Sequence, residues 1–169
     1  MIATTLSLTR RNHALEHATL QVLSTKKPGL RMAGYSTPRG FWVLGDVDLS
    51  AMQQAVEEAQ RRLRAGEKRL AVHPYCGTNF VLPGLAGGVA AWLAMLGSGR
   101  RLRDKIDRLP LVTTLVTLAL MLTFPLGPKL QERYTIDPEL GDLQVVRIDR
   151  YVQQGMPAHF VTTGVNHAG

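Results

Sequence analysis

The chain has 169 residues, a formal net charge of +7 at pH 7 and one cysteine. That length holds one modest domain plus appendages, and a lone Cys76 excludes an intramolecular disulfide and with it a secreted disulfide scaffold. Residues 1–78 carry 11 Lys/Arg against 6 Asp/Glu, while the stretch from Lys129 carries 4 against 5, a distribution that suits anionic lipid headgroups ahead of nucleic acid.

The opening MIATTLSLTRRNH has no long apolar run, and its charges follow the short apolar stretch. It does not read as a secretory signal, so the N-terminal part is expected in the cytoplasm. Arg10–Ser24 is predicted to be a helix with Thr9 as N-cap and Pro28-Gly29 beyond its end. Ala14, Leu15, Ala18, Val22 and Leu23 form an apolar stripe, and His13, Glu16, His17 and Leu20 fall on a face of their own. LRMAGYS, the turn TPRG and FWVLGDVDL read as a β-hairpin. Ser50-Ala-Met-Gln53 resembles a capping box that opens a second helix, with Met52, Val56, Ala59 and Leu63 at helical spacing and Gly66 at its close. RLAVHPY is read as a short strand ending at Pro74. These elements make residues 1–78 a small α+β domain of two helices and roughly three strands.

Two uncharged stretches follow. Residues 79–99, NFVLPGLAGGVAAWLAMLGSG, and residues 109–128, LPLVTTLVTLALMLTFPLGP, each lie between charged residues and contain none. Each is about the 20 residues that a helix needs to cross a hydrocarbon core, so residues 79–128 are expected to form a transmembrane hairpin. The first span is diluted by five glycines. Gly84 and Gly88, and likewise Ala90 and Ala94, are four apart, a spacing that lets a partner backbone approach closely, either the second span or another copy of the chain. The alternative is a buried hairpin in a soluble protein, but so short a chain has little other material to cover two such helices. The connecting RRLRDKIDR has five Lys/Arg in nine residues, whereas eight flank the outer ends. That balance places the domain and the tail inside the plasma membrane. In the tail, residues 129–169, LQVVRIDRYV and AHFVTT read as two strands around a Gly155-Met-Pro157 turn.

His13-Ala-Leu-Glu16-His17 carries the strongest chemical signal. Histidines four apart on a helix project side by side, suited to one zinc-type ion, and Glu16 between them fits a general base toward metal-bound water. The order H-x-x-E-H is that of the reversed zincins. His73-Pro-Tyr-Cys76 adds a second pair at ligand spacing. Cys76 stands just before a helix whose Thr78 fits the N-cap, where the positive helix end favours thiolate. His13, Glu16, His17, His73 and Cys76 are thus the candidate metal ligands, with Glu16 the candidate catalytic residue. The same residues also admit a structural reading. His17 would be a hydrogen-bonded core histidine, Glu16 a partner of Arg10 or Arg11, and Cys76 a small buried hydrophobe. His159 and His167 have no companion at ligand spacing and read as incidental.

The stretches RNHALEHAT (Arg11–Thr19), GFW…GDV (Gly40–Val47), RRLRAGE (Arg61–Glu67) and LAVHPYCGTN (Leu70–Asn79) resemble an uncharacterised bacterial membrane family, a domain-of-unknown-function group, over nearly the whole chain. A remoter likeness connects Glu16, His17, His73, Pro74, Cys76, Gly77 and Thr78 to a second uncharacterised membrane family with AEHK and HPxCGT stretches, which has no counterpart of His13. That likeness implies a shared set of Glu16, His17, His73 and Cys76, with Glu16 a ligand rather than a base.

Three functions compete on these residues. One is a metal site at the membrane surface, zinc or a similar divalent ion, able to support metal-assisted hydrolysis. Another is a non-catalytic assembly protein that self-associates through Gly84, Gly88, Ala90 and Ala94. The third, nucleic-acid or anionic-surface binding through Arg61, Arg62, Arg64, Lys68 and Arg69, lacks a recognised motif.

Overall fold

A computed structural model describes residues 2–153 and 155–165, with side chains from Thr4 onward. The chain divides into two compact units, Met1–His73 with Tyr134–Gly169, and Pro74–Arg133.

The first unit is α+β. Its helices are α1, Ile2–Lys26, and α2, Leu49–Arg64, and its strands are β1, Ala33–Thr37; β2, Gly40–Leu44; β3, Leu143–Gln153; and β4, Met156–Val165. All pairings are antiparallel, in the order β1-β2-β4-β3. The two tail strands therefore complete the sheet begun by the first hairpin, and β2 lies beside β4 with Phe41 opposite Val161. A bulge between Val145 and Arg147 interrupts the β3–β4 register, the device by which long edge strands are commonly twisted away from unwanted pairing.

The core joins Leu15, Ala18, Val22 and Leu23 of α1 to Met52, Val56, Ala59 and Leu63 of α2, Phe41 and Val43 of β2, Val161 of β4, and Ile136, Leu140 and Leu143. α1 is buried beyond its apolar stripe: Asn12, Glu16, His17 and Thr19 are at most 3% exposed. Buried polar groups need partners, and α1 finds them in the surrounding backbone. Asn12 donates from Nδ2 to the Thr37 carbonyl (2.9 Å) and accepts from Thr163 Oγ1 (2.7 Å), linking α1 to β1 and β4. Gln21 Nε2 donates to the Val72 carbonyl (2.6 Å).

Three local expectations give way to other geometry. α2 is capped by Asp48, which accepts from Ala51 N–H at 2.8 Å, and Ser50 donates to Asp48 rather than capping the helix itself. An aspartate two residues earlier takes the position because a charged acceptor suits the positive helix end. RLAVHPY is not a strand: Lys68–Ala71 forms a 3-10 turn. The carbonyls of Ala71 and Val72 are satisfied by side chains of α1 instead of by a neighbouring strand. In the second unit, Gly77–Phe80 forms a 3-10 turn with Cys76, not Thr78, at its N-cap.

The basic run at the end of α2 is largely engaged within the fold. Arg62 pairs with Glu67 (2.7 Å), Arg64 donates to the Leu143 carbonyl (2.9 Å), and Lys68 pairs with Glu139.

The second unit contains α3, Val81–Met95; the short α4, Leu102–Ile106; α5, Leu109–Thr123; and α6, Gly127–Leu130. Two continuous helical stretches, Gly77–Met95 and Leu102–Thr135, are long and apolar enough to cross a membrane. Their packing settles which glycine serves the hairpin. A Cβ on Gly87 would lie 3.5 Å from Leu120 and 3.6 Å from Val116, whereas one on Gly84 or Gly88 would meet nothing within 4 Å. The close approach of α3 to α5 thus runs through Gly87, and Gly84 and Gly88 point away from it.

Candidate metal centre

The sequence places His13 and His17 one turn apart on α1, and the structure shows what holds each ring. His13 Nδ1 lies 2.9 Å from the Thr135 carbonyl, and His17 Nδ1 lies 2.7 Å from the Ala71 carbonyl. A carbonyl oxygen only accepts, so both Nδ1 atoms carry the proton, and in the neutral ring Nε2 is the nitrogen with ligand capacity. The two ring centroids are 4.2 Å apart, and the ligand atoms that the two histidines offer lie within 4.8 Å of each other. Metal-ligating histidines commonly have one ring nitrogen fixed in this way by a backbone or carboxylate acceptor.

His73 is the third imidazole of the unit, its ring centroid 5.5 Å from that of His17. The turn at Lys68–Ala71 delivers it, because the Ala71 and Val72 carbonyls that bond to His17 and Gln21 fix the backbone immediately ahead.

Glu16 is turned another way. Its carboxylate is 3% exposed and accepts from Ser36 Oγ of β1 at 2.5 Å. A Cβ on Gly34 would overlap the Glu16 carboxyl, so the absence of a side chain at Gly34 makes the space that Glu16 occupies. Helical geometry explains the divergence: residue 16 is rotated about 100° from residue 17, which on a helix buried all round is enough to face the sheet. The expected pairing of Glu16 with Arg10 or Arg11 is replaced by other bonds. Arg10 donates to the Ile136 carbonyl (3.0 Å) and Arg11 to Asp142 (2.8 Å).

Cys76 belongs to the second unit, three residues beyond His73 along the chain. It is partly exposed, and its Sγ lies 3.2 Å from Thr78 Oγ1. Asn79 Nδ2 closes the same turn by donating to the Pro74 carbonyl at 3.0 Å. His159 lies away from these groups on β4, opposite Val43 and Arg150, fully buried, with neither ring nitrogen hydrogen-bonded among the described residues. Burial, followed by the nearby Arg150 cation, lowers its pKa from the ordinary value of 6.5. His167 is outside the described residues.

Sequence reasoning found the donor residues but not the groups that set them. Ser36 gave no signal within AGYST, and main-chain acceptors at Ala71 and Thr135 have no sequence signature. Asn12 did give one: an asparagine in a helix interior is unfavourable unless its side chain is bonded elsewhere.

Comparison with known proteins places the chain. Residues 8–148 match DUF6391, a domain of unknown function. The chain belongs to that family. It is 35% identical over 167 residues to an uncharacterised protein of the cyanobacterium Picosynechococcus sp., a match that covers 90% of this chain and 77% of that one. No solved structure matches it.

Proposed function

We propose that this member of the family is a membrane-anchored metal protein in which His13, His17 and Cys76 bind a divalent transition-metal ion of the zinc type. The observation that carries the reading is the pair of Nδ1–H bonds to the Ala71 and Thr135 carbonyls, which orient two imidazoles whose centroids are 4.2 Å apart. His13, His17 and Cys76 offer the donor chemistry such an ion takes.

Three protein donors leave one position of a tetrahedral ion for water, the condition for metal-assisted hydrolysis. His73 is the side chain that would close the site by taking that position. Glu16 is our candidate proton acceptor in an open site. Ser36 holds its carboxylate, so that role requires the carboxylate to exchange Ser36 for the metal-bound water.

The membrane reading is supported by the sheet topology as well as by apolarity. β2 precedes the hairpin and β4 follows it, yet the two strands pair, which supports an even number of crossings with both flanking segments on one side. The charge balance favours the cytoplasm for that side.

The experiment is elemental analysis of protein purified in detergent. Near one equivalent of zinc or a similar metal is expected, lost in His13→Ala and Cys76→Ser. Wild-type protein well below one equivalent after metal supplementation overturns the proposal. Full retention of metal in His73→Ala identifies an open site.

A second reading has its own observation. Gly84 and Gly88 face away from α5, so their four-residue spacing is available to another copy of the chain.

A further inference from the structure

The face of the sheet opposite α1 and α2 carries a band of aromatic residues that crosses all four strands. Tyr35 of β1 stacks on Trp42 of β2 at 6.2 Å between centroids; Trp42 meets Phe160 of β4 at 4.8 Å and Tyr151 of β3 at 5.2 Å. The register makes this one surface, since Tyr35 is opposite Trp42 and Trp42 is opposite Phe160. Tyr35 and Tyr151 are each 43% exposed. Neither tyrosine hydroxyl nor the Trp42 indole N–H has a hydrogen-bond partner among the described residues. Arg147 is on the same face, opposite Thr162, with its side chain 66% exposed and its Nε 3.0 Å from the carboxylate of Asp149, which shares that face opposite Phe160. Arg39 is exposed at the β1–β2 turn.

We propose that this aromatic face lies in the headgroup layer of an anionic bilayer. Rings with apolar bodies packed together and polar tips left wet are what the membrane interface selects, because the tips find acceptors at the ester and phosphate level while the bodies displace water. Arg39 supplies complementary charge for lipid phosphate, and Arg147, though paired with Asp149, exposes guanidinium N–H groups that can donate to it. A fluid lipid surface fits better than stacked nucleobases. Trp42 is already flanked by three rings, and a base-stacking platform needs open ring faces. The chain also brings this unit to lipid at two points, since His73 runs directly into Pro74 and Arg133 directly into Tyr134. The proposal rests on the membrane reading above.

The two tryptophans separate the two claims. Trp42 is on the sheet and Trp92 on α3, and the chain has no others. The full-length variants Trp92→Phe and Trp42→Phe are reconstituted into phosphatidylcholine–phosphatidylglycerol vesicles with and without lipids brominated near the top of the acyl chain. In Trp92→Phe, the emission of Trp42 is expected to fall roughly twofold with brominated lipid, at a depth of about 5–10 Å, and to resist acrylamide. In Trp42→Phe, Trp92 emission reports the hairpin. Failure of brominated lipid to quench Trp92 sinks the membrane reading itself. Quenching of Trp92 with Trp42 untouched by lipid and open to acrylamide overturns the headgroup proposal alone. Trp42 shielded from both quenchers overturns it in favour of a protein, such as a second copy, on this face.

Discussion

His17 performs two tasks through two different nitrogens, and substitution can separate them. Nδ1–H satisfies the Ala71 carbonyl, and both residues are nearly or wholly buried. In His17→Ala that carbonyl loses its partner, which costs about 1–3 kcal/mol. The missing ring leaves a void costing about 2 kcal/mol more. A total of roughly 3–5 kcal/mol corresponds, at about 2–4 °C per kcal/mol for a chain of this size, to a fall in Tm near 10 °C. In His17→Asn the side-chain amide nitrogen occupies the place of Nδ1 and keeps the bond to Ala71, while the Nε2 donor is gone. Its Tm should fall by only about 2–4 °C, the equivalent of roughly 1 kcal/mol. Thermal unfolding of chelator-treated protein in detergent gives both shifts, and metal content gives the second readout. Both variants should lose the ion despite unequal stability. Full metal retention by His17→Asn would show that Nε2 is not a ligand, and equal Tm losses would show that the Ala71 bond contributes nothing.

Leucine at Gly87 should disrupt the α3–α5 hairpin, because even a Cβ there stands at 3.5 Å from Leu120; protease resistance of the hairpin in detergent reads the loss. Leucine at Gly84 and Gly88 should leave that resistance unchanged, since both positions open outward, and should reduce crosslinked dimer if the second reading holds. For His159, the folded-state pKa lies below 6.5, so the unfolded chain binds the proton first. Its contribution to stability is therefore unchanged above pH 6.5, falls as the pH drops from there toward the folded pKa, and levels off below it. His159→Leu should flatten that part of the Tm–pH profile of chelator-treated protein. It should cost little stability, because neither ring nitrogen gives up a hydrogen bond.

Periodicity made α2 readable from the sequence, and length without charge made the two apolar stretches readable, because each buries or exposes one kind of surface along its length. It served α1 less well. That helix runs from Ile2 rather than Arg10, and its buried circumference mixes Asn12, Glu16, His17 and Thr19 with alanine and leucine. A stripe cannot be drawn on a helix that is covered on every side. The tail strands and their Gly155 turn were visible in LQVVRIDRYV and AHFVTT, but their destination was not. Pairing of β4 with β2 is a contact across the whole hairpin, and local composition carries no record of it. The candidate site divides in the same way. Residue types and spacing identified His13, His17, His73 and Cys76. The orientation of each imidazole depends on main-chain carbonyls, which every residue possesses, and so could only be seen in the fold.

The burial of polar residues on α1 bears on why a metal-competent pair sits there at all. An exposed histidine can rotate to find water, and its two nitrogens exchange roles freely. His17 cannot, because burial makes an unsatisfied Ala71 carbonyl expensive and so holds Nδ1 in the donor role. His13, only partly buried, is held by the Thr135 carbonyl. These acceptors come from segments far apart in sequence, one just before the hairpin and one just after it, so a single helix ties both flanks of the apolar hairpin to adjacent rings. The arrangement needs nothing exotic in composition. It needs a helix buried deeply enough at His17 to hold that ring to one backbone acceptor, and the closure of the sheet by β4 supplies depth by placing Thr163 on Asn12, the residue before His13.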